Sequence, residues 1–152
     1  MKRYTQVPPI LFARAISLFF KGNVTFPKDL NGSTLKEEKE DFLIFRKVVI
    51  SRKDNQSPNQ GVILKVFFHF KRFSFKVNRI LSIIPIPLII AQPGFKSKTW
   101  LTGKETDTFY GLYEWDNIEN AEKYLDSLPL KLMKRRAIYG TLKFKFIKNN
   151  QT

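Results

Sequence analysis

Apolar and polar side chains alternate most cleanly in the middle of the chain. Over 62–73, Val62, Leu64, Val66, Phe68 and Phe70 fall on one face, and Ile63, Lys65, Phe67, His69 and Lys71 on the other. Runs at 95–102 and 108–115 read as two more strands joined by the polar segment 103–107. A run at 41–50 is rich in branched and aromatic residues. The chain closes on a strand over 141–147, with Leu142, Phe144 and Phe146 sharing a face. Helical spacing fills the gaps between these runs. Ser74 is placed to cap a helix opening at Phe75 and running through Asn78 and Arg79 until Pro85 and Pro87 disrupt it. Asp116 stands three residues before Glu119, the spacing of a capping box, ahead of the stripe Ile118, Ala121, Leu125 and Leu128. Pro129 suits the first turn of a continuing helix, which Gly140 ends.

From Val62 onward the predicted order is β-α-β-β-α-β. This is the split βαβ pattern of an α+β, ferredoxin-like fold, an antiparallel sheet with helices on one face. Residues 41–152 are expected to form that single domain, with the strand at 41–50 as an addition. Residues 1–40 read as an N-terminal extension, a short amphipathic helix over 9–20 followed by a loop with Asn31-Gly32 as a turn signal. The acidic run Glu37, Glu38, Glu40 and Asp41 reads as a solvated helix start, and 51–61 as a polar loop.

The helix over 9–20 is shorter than the roughly 20 residues needed to cross a bilayer. No small-residue cleavage site follows it. Its stripe of Leu11, Ala15, Leu18 and Phe19, behind the basic Lys2 and Arg3, fits docking on the domain or lying in a membrane interface. The expected location is therefore cytoplasmic, with peripheral attachment to an anionic membrane left open.

Composition narrows the chemistry further. With 43% hydrophobic residues, fifteen of them Phe, the chain of 152 residues is globular and long enough to bury a core. It contains no cysteine, which excludes disulfides, thiolate metal sites and Cys nucleophiles. His69 is its only histidine, so a His-rich metal site cannot form, and no metal is expected. The net charge is +14, and no carboxylate lies between Asp54 and Glu105, a stretch holding eight Lys and Arg residues. That balance favours anionic partners. Nucleic acid is disfavoured, because no RNA-recognition aromatic motif, helix-turn-helix signature or zinc finger is present.

The segment QPGFKSKTWLTGKETDTFYGLYEWDNIENAEKYLDSLP resembles the antibiotic-biosynthesis monooxygenase-like domains of the dimeric α/β-barrel superfamily. The matching positions are Pro93, Gly94, Phe95, Ser97, Lys98, Trp100, Gly111, Tyr113, Trp115, Asp116, Ala121, Tyr124 and Leu125. The resemblance covers 62–147 and is most specific over 93–127; the first sixty residues stand outside it and mark a distinct subgroup. It implies a ferredoxin-like protomer that pairs sheet to sheet as a homodimer, with a cavity between sheet and helices for a small apolar or aromatic molecule. Members include cofactor-free oxygenases and haem-degrading enzymes, and many have no known activity. The resemblance therefore implies a monooxygenase-like activity without a required cofactor. The superfamily has no single catalytic motif, so the catalytic residues are unknown.

Strand phase sorts the candidates. Phe95, Ser97, Thr99 and Leu101 are expected on the helix face, with Phe109, Gly111, Tyr113 and Trp115 beside them. Asn78, Ser97, Thr99, Tyr113 and Trp115 are then the candidate polar groups of a pocket, and Gly111 would leave room above the sheet. Phe67, His69, Trp100 and Leu112 fall on the opposite face as candidates for a dimer interface, where Lys65 or Lys98 could pair with Glu114. His69 is the single candidate for an axial haem ligand or general base, and its phase sets it on that interface side, away from the pocket. The alternative to a ligand-binding barrel is a non-enzymatic basic protein bound to membrane or nucleic acid.

Overall fold

The computed structural model describes residues 7–51 and 61–148; Lys2, Arg3 and most of the polar loop 51–61 lie outside these residues. The ferredoxin-like core begins at strand β4 (Val62–Phe68). It continues through helices α2 (Phe75–Leu81) and α3 (Ile86–Ile90), strands β5 (Phe95–Gly103) and β6 (Phe109–Trp115), helices α4 (Ile118–Tyr124) and α5 (Leu128–Arg136), and strand β7 (Lys143–Lys148). Before it come α1 (Pro8–Phe20), β1 (Val24–Thr25), β2 (Thr34–Glu37) and β3 (Glu40–Ile50). The described strands form one antiparallel seven-stranded sheet in the order β1-β3-β5-β6-β4-β7, with β2 also on β3. The α+β fold expected from the element order is therefore present, with β3 extending the sheet beyond β5.

Local chemistry sets the element ends. Ser74 Oγ accepts from the Val77 amide at the start of α2, as its position suggested. The cap of α4 is Asn117, whose side chain accepts from the Asn120 amide, in place of Asp116. Asp116 instead accepts a hydrogen bond from Asn120 Nδ2. Gly94, at φ +76°, turns the chain into β5 beside that carboxylate, and its carbonyl accepts from the Asp116 amide; a Cβ there would overlap Asp116. Ser127 caps α5, which ends at Ala137, three residues before Gly140.

The helix-side core gathers Val48 of β3, Leu64 and Val66 of β4, Tyr113 and Trp115 of β6, Ile86 and Ile89 of α3, Ala121 and Tyr124 of α4, and Leu130 of α5. Leu11 of α1 is buried with Leu88 and Ala91 of α3, so the N-terminal helix docks on the domain. Phe19 and Phe20, on the same helix, are exposed. No helix of the described residues is long and apolar enough to cross a membrane.

Two sequence expectations are overturned by irregular strand geometry. The acidic run does not begin a helix. Glu37 and Glu40 are paired across the β2–β3 hairpin, and Glu38 at its tip adopts φ +53°. The phase of β5 is also reversed beyond its first residue. The register against β6 shifts between Phe95 and Ser97, so Phe95 opposes Trp115 while Ser97 opposes Glu114. This is a β-bulge, and the inserted Lys96 moves every later side chain of the strand to the other face. Ser97, Thr99 and Leu101 consequently lie on the outer face, and Lys98 and Trp100 on the helix face. A second shift between Ile44 and Arg46 does the same in β3: Phe42 and Ile44 pack outside, whereas Val48 and Ile50 pack against the helices.

Candidate ligand-binding site

The largely apolar cavity between sheet and helices has a volume of about 450 Å³. Its floor is Phe68 of β4, Lys98 and Trp100 of β5, and Phe109 and Gly111 of β6. Leu81 and Ser82 at the end of α2, with Leu88 and Ile89 of α3, form one wall. Pro129, Leu132, Met133 and Arg136 of α5 form another, and Phe12 reaches in from α1. The prolines that break the apolar run between α2 and β5 turn the chain over the sheet at this point and bring the α3 residues to the rim.

Gly111 lies opposite Trp100 in the ladder, next to the Lys98–Tyr113 pair. A Cβ on Gly111 would meet Tyr113 Cε2 at 2.8 Å and Lys98 Cε at 3.2 Å, so the glycine provides the space through which the Lys98 stem crosses the sheet. Lys98 is 3% exposed, with Nζ 4.5 Å from the ring centroids of both Trp100 and Tyr113. It has no hydrogen-bond or carboxylate partner among the described residues. Burial, reinforced by the nearby Arg46 charge, holds its pKa well below the usual lysine value.

Arg46 lies over the same Trp100 ring at 5.4 Å and over Phe45 at 5.3 Å. It donates to Ser82 Oγ at 2.6 Å and to the Arg79 carbonyl at 3.2 Å. Burial lowers the pKa of Arg46, and the Arg79 charge lowers it further. At the other end of the cavity, Arg136 stacks on Phe70 at 4.5 Å and donates to Asn78 Oδ1 at 2.7 Å. Among the described residues, no Asp or Glu lines the cavity.

The five pocket candidates are dispersed. Asn78 is buried, but it is occupied by Arg136 and by the Arg72 and Phe73 carbonyls, and it lies outside the lining. Ser97 and Thr99 are turned to the outer face by the bulge. The Tyr113 hydroxyl accepts a hydrogen bond from Tyr124 at 3.0 Å, deep in the core. Burial raises the pKa of both phenols, most strongly for Tyr113, so both stay protonated. Trp115 packs against Phe95, Tyr113 and Tyr124, and its buried Nε1 has no acceptor among the described residues. Trp100, expected at a dimer interface, lines the cavity instead. Phe67, His69 and Leu112 lie on the outer face, where His69 Nε2 is 3.2 Å from Thr108 Oγ1, and His69 is not part of the cavity lining.

That outer face is partly covered by the chain itself. Strand β2 brings Leu35 against Phe42, Ile44, Leu101 and Tyr110, with Phe67 and Leu112 beside them. Glu37, at the end of β2, accepts from Lys65 Nζ and from the Tyr110 hydroxyl. Lys65 is thus partnered within the protomer, while Lys98, turned to the other face, cannot reach Glu114.

No protein-family model and no curated protein matches the sequence. Solved structures do. A ferredoxin-fold protein from Listeria monocytogenes, related to antibiotic biosynthesis monooxygenases, superposes with a TM-score of 0.55 at 14% identity, over 90% of this chain and 88% of that one. The heme-degrading enzyme LmHde, also from L. monocytogenes, gives 0.55 at 12% identity, over 84% of this chain and 97% of its own. A monooxygenase-like protein from Listeria innocua gives 0.54 at 11% identity, over 93% and 88%. This chain shares their fold. The superpositions on the first and third of these proteins span nine-tenths of the chain, so they reach well beyond residues 62–147, where the sequence resemblance lies.

Proposed function

We propose that the chain binds a small apolar or aromatic molecule in the cavity between its sheet and its helices. The observation that carries this reading is the cavity itself, about 450 Å³ of largely apolar space floored by Trp100 and Gly111 and walled by α3 and α5. The fold supports it, since proteins of this architecture include one related to antibiotic biosynthesis monooxygenases and one that degrades heme. No reaction step is assigned. Among the described residues the lining offers neither a carboxylate nor a histidine to pair with Lys98 for acid–base work.

Isothermal titration with the neutral two-ring alcohol 2-naphthylmethanol tests the reading. One molecule is expected per chain. Leu132→Trp, which fills the rim from a position already 38% exposed, should weaken binding at least about tenfold without loss of stability. No heat of binding with the wild type, or binding unaffected by Leu132→Trp, overturns the assignment of the cavity.

A further inference from the structure

Lys98 bears on which molecules the cavity selects. Lys98 lines the cavity from the sheet side, its Nζ 4.5 Å from the rings of Trp100 and Tyr113 and without an acceptor among the described residues. Among the described residues, the charged side chains nearest it on the surrounding elements are positive: Arg46 of β3 beside the Trp100 ring, and Arg135 and Arg136 of α5 farther along the lining. Tyr113 of β6 and Tyr124 of α4 face it as neutral phenols bonded to each other. Leaving a buried amine unpartnered is costly, and an ion pair inside an apolar cavity is strong when both members are held. A hydrocarbon ligand leaves Lys98 as it is. A ligand with one anionic oxygen pair supplies what Lys98 lacks.

We propose that the cavity selects an apolar or aromatic carboxylic acid, its carboxylate on Lys98 Nζ and its hydrocarbon body between Trp100, Leu88 and Met133. This rests on the binding reading above and adds the chemical class of the ligand. Burial disfavours the charged amine in the free protein, so a bound carboxylate favours the ammonium form of Lys98 and draws a proton with it wherever the free amine has lost its own.

The test compares 2-naphthoate with 2-naphthylmethanol, which have the same ring system and differ in charge, on the full chain and on Lys98→Met. The wild type should prefer the acid by at least about tenfold, and Lys98→Met should lose that preference while still binding the alcohol. For the wild type, naphthoate affinity should fall as the pH rises above neutrality, by up to about tenfold per pH unit, with the alcohol unaffected. Equal binding of acid and alcohol, an acid preference retained in Lys98→Met, or a flat pH profile for naphthoate overturns the proposal and leaves the binding reading standing. Binding of neither compound by the wild type overturns both. The pH profile needs no variant, so it decides the matter even if Lys98→Met fails to fold.

Discussion

Lys65 and Lys98 stand on neighbouring parts of one sheet and face opposite ways. Lys65 projects from β4 to the outer face, where Glu37 lies 2.5 Å from its Nζ and the two side chains are 14% and 18% exposed. Lys98 projects from β5 to the helix face, is nearly inaccessible, and its Nζ lies over two aromatic rings with no hydrogen-bond acceptor among the described residues. The same residue type is a structural tie on one face and an unpaired group beside a cavity on the other. What separates them is whether the fold supplies a counter-charge: β2 folds over the outer face and delivers one, and among the described residues no helix delivers one to Lys98. A fold that leaves such a group unpaired gives up stability at that point, which is expected of a binding site and not of a filled core.

The largest expected effect is a difference in sign between two matched substitutions. Lys65→Met leaves Glu37 with Tyr110 alone and should destabilise the protein by about 1–3 kcal/mol. Lys98→Met removes an unpartnered amine and keeps the volume, and should stabilise it by about 1–3 kcal/mol at neutral pH. Urea unfolding of both variants checks this; a loss of stability in Lys98→Met would show that Lys98 is held by interactions as effective as those of Lys65.

Next in size is the pH dependence. In the folded protein the pKa of Lys98 lies well below that of the unfolded chain, so between the two values the unfolded state binds more protons. Stability should therefore rise with pH across that window, by up to about 1.4 kcal/mol per unit, and level off near the ordinary lysine value of about 10.4. The rise should be present in the wild type and absent from Lys98→Met when unfolding is followed from about pH 7 to 10.

The smallest effect separates the two buried hydroxyl contacts. Tyr110→Phe removes a hydrogen bond to the Glu37 carboxylate on the outer face, and Tyr124→Phe one to the neutral Tyr113 hydroxyl on the inner face. The first should cost about 1.5–3 kcal/mol and the second about 0.5–1.5. Equal losses would mean that the charge on Glu37 adds nothing to its bond with Tyr110.

Much of this arrangement is legible in the residues, and the part that is not has a definite cause. The β-α-β-β-α-β order follows from periodicity, from the cap at Ser74 and from Pro129. The phases of β4 and β6, which pair without a register shift, also follow from alternation. Alternation fails where one extra residue enters a strand, at Lys96 and again near Phe45, because no side chain there announces a bulge. Ser97 and Thr99 were expected in the pocket for that reason, and Lys98 and Trp100 outside it. The hairpin at Glu38 was hidden differently, since a run of Glu and Lys favours helix and only pairing with β3 overrides it. One weak signal for the pocket lysine was present: the chain carries eight basic residues between Asp54 and Glu105 and no acid to neutralise them.

Strand β7 lies at the margin of the sheet and, among the described strands, pairs with β4 alone. Such a margin offers unpaired amides and carbonyls to any passing strand and is where sheets grow into aggregates. Here it reads Lys-Phe-Lys-Phe-Ile-Lys, with Lys143, Lys145 and Lys148 exposed. Two molecules meeting along this margin would set lysine rows against each other before a hydrogen bond could form. The excess of positive charge found around the cavity thus recurs at this margin, where it opposes edge-to-edge pairing of the sheet.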